Sequence, residues 1–262
     1  MPYAIKIDCS KFAIYPKGMA YRLSASKLTL FSTCPQAYYF KYERKLPDKA
    51  MFAQPELGIA LHKALENFYK DWHYQDLIPP RSRILESWDR VSRDLKPENV
   101  SEGFNRLNLY FDRFIKQPGI MRKPLGIEQS IKRKVVIHGI EFELRGRYDR
   151  LDMEDGRLSL IDYKGGAAPR QSVDLDLQSG FYDWILEGIY EKSLGEWQII
   201  YLKTGEKVSY LVTEEHRSRV RELIGNLAKA IAEEEQWIPC ESETCKNAPT
   251  NPIALPGIRN RR

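Results

Sequence analysis

Gly146-Arg-Tyr-Asp-Arg-Leu-Asp-Met-Glu-Asp-Gly-Arg-Leu-Ser-Leu-Ile-Asp-Tyr-Lys164 is the stretch whose reading decides the fold. Asp155-Gly156 is a two-residue hairpin signal, because a type I′ turn needs two residues that tolerate positive φ. Apolar residues alternate on either side of it, so a strand running to about Asp152 returns as Leu158–Lys164. Counting outward from the turn puts Asp149 opposite Asp162 and Arg147 opposite Lys164. Cross-strand carboxylates at ~4.5–5.5 Å repel, so such a pair calls for a counter-charge, and a divalent cation supplies one. Strand alternation puts Lys164 on the face of Asp162 and turns Tyr163 away. The alternative is two solvated acids and a lysine on an exposed strand, and a bulge would slide the pairing by one position.

Upstream, Val135-Val136-Ile137 and Ile140/Phe142/Leu144 flank His138-Gly139, a second hairpin turn. Before it lie helical patterns. One starts at Ser24 or Ser26 with Leu28 and Phe31 inward. A second carries the stripe Leu57, Leu61, Ala64, Leu65, Phe68 and Trp72, with His62 and Glu66 beside it. Residues 81–117 read as helix broken at Pro97, with Ile84, Leu85, Trp88, Val91 and Leu95 on one face, then Phe104, Leu107, Phe111 and Phe114. After the lysine come a helix over about 174–191, with Leu177, Phe181, Trp184, Ile185 and Gly188 inward, and strands over 197–202 and 208–212. A last helix over 214–236 buries Val220, Leu223, Ile224, Leu227 and Ile231. Residues 1–23 read as a short strand and a loop.

This order predicts an α/β fold: a mixed central sheet flanked by helices, with a helical cap segment. The expected organisation is 1–55 as an N-terminal strand and helix, 56–124 as a helical segment carrying His62, 125–236 as the catalytic core, and 237–262 as a C-terminal cysteine segment with a basic tail.

The net charge of +5 and the clusters Lys132-Arg133-Lys134, Arg145/Arg147/Arg150 and Arg259…Arg262 suit a polyanionic partner, and equally suit solvated surface charge. No apolar run approaches the ~18 residues of a membrane span, and Met1–Ser10 lacks a signal-peptide pattern, so a cytoplasmic protein without membrane contact is expected. Cys9, Cys34, Cys240 and Cys245 then argue against a disulfide framework and leave free thiols or metal ligation open. Two carboxylates and an ammonium on one hairpin face suit metal-assisted phosphodiester hydrolysis.

Several ordered segments resemble the RecB-like PD-(D/E)XK nucleases. Ser24-Ala-Ser-Lys-Leu28…Phe31…Cys34-Pro35…Tyr39-Phe40…Tyr42 is similar to that family's opening segment, and Gly58…His62…Leu65-Glu66 to its histidine helix. Gly146–Asp152 and Ile161-Asp-Tyr-Lys164 resemble its two signature motifs, and Gln178…Tyr182 its Gln-x-x-x-Tyr helix; Lys164-Gly165-Gly166 departs from the common Lys-Thr-Gly. The resemblance implies a restriction-endonuclease-like fold and a Mg²⁺- or Mn²⁺-dependent DNA exonuclease of repair, recombination or end processing. Metal ligands would be His62, Asp149, Asp162 and the Tyr163 carbonyl, with Asp149, Asp162 and Lys164 catalytic. Arg147 and Arg150 would meet phosphates, and Gln178 and Tyr182 would shape the site or touch DNA. Glu128 has only a loosely matching spacing. The implied substrate is DNA, single-stranded or with free ends, with bases stacking on rings such as Tyr69 or Trp72 and with a helicase or recombination partner. The iron–sulfur nuclease of CRISPR adaptation shares these motifs and is the neighbouring reading; a non-catalytic DNA-binding module is the other.

Many such relatives hold a 4Fe–4S cluster on one early cysteine and three late ones spaced Cys-x₂-Cys-x₅-Cys. Cys34 and Cys245 match the first two positions, whereas Ala248 and Ala254 stand at the other two, so the cluster is expected to be absent here, with Cys9 and Cys240 as substitutes if any. Residues 237–262 are then expected to be poorly anchored.

Overall fold

The computed structural model describes residues 20–45, 56–166, 177–234 and 236–237. The expected behaviour of 237–262, the start of the helix at 174, and Cys9, Cys240, Cys245, Ala248 and Ala254 fall wholly or almost wholly outside them.

Six strands form one mixed sheet: β1 (Tyr21–Leu23), β2 (Gly126–Ile137), β3 (Ile140–Glu154), β4 (Arg157–Lys164), β5 (Leu194–Tyr201) and β6 (Glu206–Leu211). The order is β1-β3-β4-β5-β6, with β2 paired along β3; β1–β3 and β4–β5 are parallel and the other pairs antiparallel. Both hairpin turns have the expected backbone: φ is 50° and 81° at His138-Gly139, and 49° and 76° at Asp155-Gly156.

Helices cover both faces. On one lie α1 (Ala25–Thr33), α6 (Leu177–Tyr190) and α7 (Glu214–Glu233), packed on Phe142, Leu144, Tyr148, Leu151, Leu158 and Leu160. A short α2 (Pro35–Tyr38), continued as a π-turn to Glu43, follows α1. On the other face lie α3 (Glu56–Lys70), α4 (Ser82–Val91) and α5 (Pro97–Phe111), packed on Ile127, Ile161, Tyr163 and Ile200. The Ser24 hydroxyl caps α1 by accepting the Lys27 N–H, and Thr213 caps α7 by accepting that of His216. Cys34 ends α1 and caps α2, whose first residue is Pro35. Cys34 is disulfide-bonded rather than free.

Three side-chain assignments change. Phe104 is 43% exposed because Gly103 takes the inward slot: the Trp88 ring lies where a Cβ at 103 would be, 2.2 Å away. Leu223 lies off the Val220/Ile224/Ala228/Ile231 stripe and is exposed. Gly188 is exposed to solvent beside the Arg133 side chain, whose guanidinium donates to the Trp184 carbonyl at 2.5 Å.

The two faces of β3 exchange roles along its length. Phe142, Leu144 and Tyr148 belong to the α1/α6/α7 core, and so does Leu151, an odd step further on. Alternation therefore breaks between Tyr148 and Leu151. The candidate site lies at that break.

Candidate metal centre

The β3–β4 ladder follows the register counted from its turn, Glu154↔Arg157 through Arg150↔Ile161. It stops one step short of Asp149 and Asp162. Where the next ladder bond would form, the Tyr163 N–H donates instead to Asp149 Oδ2 at 2.7 Å. β3 and β4 thus form a fork, and acidic groups fill it.

Three elements converge on the fork. From α3, His62 places Nδ1 3.3 Å from Asp149 Oδ1 and 3.3 Å from Glu128 Oε1, and Nε2 3.0 Å from the Tyr163 carbonyl. From β2, Glu128 has φ +48°, unusual for a non-glycine residue within a strand, and is skipped in the β2–β3 pairing between Ile127↔Arg150 and Gln129↔Tyr148. From β3 comes Asp149. Donor atoms of His62, Glu128 and Asp149 lie within 4.8 Å of one another.

The electrostatics match a cation site. Every partner of His62 is an acceptor, so only the doubly protonated ring can satisfy them all. Burial pulls its pKa down, but the hydrogen bonds that the ring donates to the Asp149 and Glu128 carboxylates outweigh this and raise it to about 10. Asp162 behaves oppositely: burial raises its carboxyl to about 6, with the Lys164 ammonium opposing and Asp149 adding to the rise. Asp162 Oδ2 is 2.8 Å from Lys164 Nζ, an ion pair without hydrogen-bond alignment. Positive charge on a protonated imidazole and an ammonium thus stands among three carboxylates. These hard oxygen donors with one imidazole fit a Mg²⁺ or Mn²⁺ ion.

Of the other residues singled out in the sequence, Arg147 is on the surface beside the fork, its Nε 2.9 Å from Glu128 Oε2. The Tyr182 hydroxyl donates to the Arg147 carbonyl at 2.5 Å, and Gly146 lets that ring approach: a Cβ there would be 2.6 Å from it. Gln178, half-buried, lines a groove with Arg147 and Tyr182. Arg150 turns into the fold. Its guanidinium pairs with Asp152, lies over the Tyr69 ring, and donates to the Tyr69, Tyr110 and Tyr163 hydroxyls. Tyr69 and Trp72 are only 3% and 7% exposed, so neither offers a stacking platform.

Glu128 is the residue the sequence reading undervalued. Counting outward from His138-Gly139 sets Glu128 opposite Asp149, just as Asp155-Gly156 sets Asp149 opposite Asp162, and the observed β2–β3 register agrees on both sides of that pair.

The iron–sulfur cluster does not fit the residues present. Ala248 and Ala254 stand at two of the four positions that the resemblance assigns to its ligands, and alanine offers no thiolate.

The sequence profile of the PD-(D/E)XK nuclease superfamily matches residues 22–252. An ATP-dependent helicase/deoxyribonuclease subunit from Clostridium botulinum (strain Hall) is 28% identical over 233 residues, covering 73% of this chain and 20% of that protein. The protein of the same name from Clostridium acetobutylicum is 26% identical over 181 residues, covering 57% and 16%. The chain therefore spans about a fifth or less of the length of these curated relatives. The crystal structure of SSO0001 aligns with a TM-score of 0.40 at 13% identity, covering 84% of this chain and 80% of that one.

Proposed function

Because the chain belongs to the PD-(D/E)XK nuclease superfamily, we propose that it is a divalent-metal-dependent deoxyribonuclease degrading DNA from free ends. The supporting observation is the fork itself, where His62, Glu128 and Asp149 gather within 4.8 Å of one another, with the Asp162–Lys164 pair alongside. A bound Mg²⁺ or Mn²⁺ supplies polarisation of the scissile phosphate and acidification of a water. Its ligands would be His62, Glu128, Asp149, Asp162 and the Tyr163 carbonyl. His62 would serve as the neutral imidazole, its second proton passing to solvent water. Lys164, 46% exposed, orients the attacking water and offsets charge developing on the phosphate. Arg147 meets a phosphate at the rim, and Tyr182 holds the Arg147 backbone in place.

Curated relatives named as ATP-dependent helicase/deoxyribonuclease subunits support a helicase partner, and a recombination partner and a role in repair or end processing are part of the same proposal. A binding module without catalysis accounts less well for a buried Asp162 oxygen that, among the described residues, has an ammonium beside it and no hydrogen-bond partner. None of the helices described is long and apolar enough to cross a membrane.

The test uses end-labelled single- and double-stranded DNA and single-stranded circles, with Mg²⁺ or Mn²⁺ and with chelator. Linear DNA is expected to be degraded only with metal, and circles to survive. Lys164→Ala should cut roughly 10²–10³-fold more slowly, the usual cost of removing one charge-stabilising donor. Tight binding by the wild type with no metal-dependent cutting would return the chain to the binding-module reading.

A further inference from the structure

Behind the fork, on the side of the sheet that α3 and α5 cover, a guanidinium is buried among three phenols. Arg150 Nη1 donates to the hydroxyls of Tyr69, of Tyr110 at 3.2 Å and of Tyr163 at 3.5 Å. Its Nε and Nη2 both donate to Asp152. The phenols also bond one another, Tyr69 to Tyr110 at 2.6 Å and Tyr110 to Tyr163 at 3.2 Å. The guanidinium carbon lies over the Tyr69 ring at 4.7 Å, and the Tyr110 and Tyr163 rings meet edge to face. Burial keeps all three phenols neutral, pushing each pKa above its ordinary value although the guanidinium opposes it. Asp152 is then the anion that balances the guanidinium.

Folding alone gives little reason for this arrangement. Desolvating a guanidinium is costly, and well-packed apolar side chains of similar volume often serve stability as well or better. What a guanidinium adds is geometry, a planar fork with its donors at fixed angles. Here it spans three elements: α3 through Tyr69, α5 through Tyr110 and β4 through Tyr163. Three groups that face the metal position are each joined to a member of this cluster through the chain. Asp149 is the residue before Arg150. The Tyr163 carbonyl belongs to a residue whose hydroxyl is in the cluster. His62 lies two turns before Tyr69 on the same side of α3, ~10 Å away along the axis. The Tyr163 ring also meets the His62 imidazole edge to face, with centroids 6.0 Å apart. Any slip of α3 against β4 would therefore part His62 from Asp149 and from the Tyr163 carbonyl, which stand 3.3 and 3.0 Å from it.

We propose that Arg150, Tyr69 and Tyr110 are positioning residues for the metal centre: they hold α3 against the β3–β4 fork and so set how tightly a divalent ion is bound. They act through His62, Asp149 and the Tyr163 carbonyl and are not themselves ligands. The inference rests on the metal-dependent reading of the fork and adds to it the device that governs metal affinity.

The test measures Mn²⁺ binding to the full chain without DNA, from loss of the free ion's electron paramagnetic resonance signal, beside a Mn²⁺ titration of the nuclease rate. Tyr110→Phe keeps the ring and removes one hydroxyl that the guanidinium meets. It is expected to raise the Mn²⁺ dissociation constant about tenfold, and Y69F/Y110F up to about 100-fold, the usual range when the bonds that orient metal ligands are lost. Half-saturating Mn²⁺ in the nuclease assay should rise in step, while the rate at saturating metal stays within a few-fold of wild type. Ile224→Val, in the core across the sheet, lowers thermal stability away from the cluster and should leave Mn²⁺ binding unchanged. A folded Tyr110→Phe protein with wild-type Mn²⁺ affinity would overturn the proposal, as would Ile224→Val weakening Mn²⁺ to the same extent. A wild type that takes up no Mn²⁺ overturns the metal centre and the positioning role together. A wild type that binds Mn²⁺ but cuts no DNA, beside variants that bind it weakly, supports the positioning role and defeats the nuclease. A wild type that cuts, beside variants with unchanged Mn²⁺ binding, defeats the positioning role alone.

Discussion

Two aspartates largely withdrawn from solvent in this protein are treated in opposite ways. Asp183, on α6, has no exposed side-chain surface; its carboxylate accepts the Leu194 N–H at 2.8 Å and pairs with Arg217 and Arg221 at 3.3 and 3.1 Å. Asp162, on β4, is 15% exposed, receives one imperfectly aligned ammonium, and is pushed towards its protonated form. Buried charge is tolerated when its acceptors are filled. Asp183 meets that condition using only this chain; Asp162 does not, which leaves it able to accept a ligand. Depth does not separate a structural acid from a functional one. Completeness of its partners does.

Breaking the first member should have the largest effect. Asp183→Ala leaves two arginines facing an empty site and is expected to cost about 3–5 kcal/mol, read as a lowered denaturation midpoint. If stability hardly moves, Asp183 is not the keystone its contacts suggest. Asp162→Asn tests the other member: nuclease rate should fall roughly 10²–10³-fold. The metal-free protein should remain at least as stable as wild type, because the amide removes a poorly paired buried charge. A melting temperature several degrees lower would make Asp162 a structural acid after all. Tyr182→Phe is the smallest probe. Tyr182 and Asp183 are adjacent on α6, one serving the fork and the other the α7 layer. Loss of the hydroxyl bond to the Arg147 carbonyl should cost about 1 kcal/mol, measurable in thermal unfolding, and slow cutting only a few-fold.

Most of the frame was legible in the sequence because its signals are local. Turn dipeptides marked both hairpins, Ser24 and Ser26 bracketed the start of α1 with the structure choosing Ser24, and the apolar stripe from Leu57 to Trp72 marked α3. The fork was not legible as a fork. Counting from the turn pairs Asp149 with Asp162, yet the strands diverge a step earlier because a side chain takes the backbone N–H. Nor could patterning show that Arg150 turns inward, since its partners come from α3, α5 and β4. Glu128 lay within reach of the same arithmetic, applied to the other hairpin. Gly103 shows a further limit: periodicity marks apolar residues, whereas a large ring can claim the space over a glycine instead.

Tyr163 carries a consequence for anyone dissecting the fork by genetics. Its ring is held among Tyr110 and Arg150, while its amide hydrogen goes to Asp149 and its carbonyl to His62. Every one of the twenty encoded side chains brings the same carbonyl, and all but proline the same amide hydrogen, so a saturation library at this codon scores the anchoring of the ring and passes over the carbonyl. Only an ester in place of a peptide bond, introduced by chemical synthesis or an expanded code, edits the main chain itself.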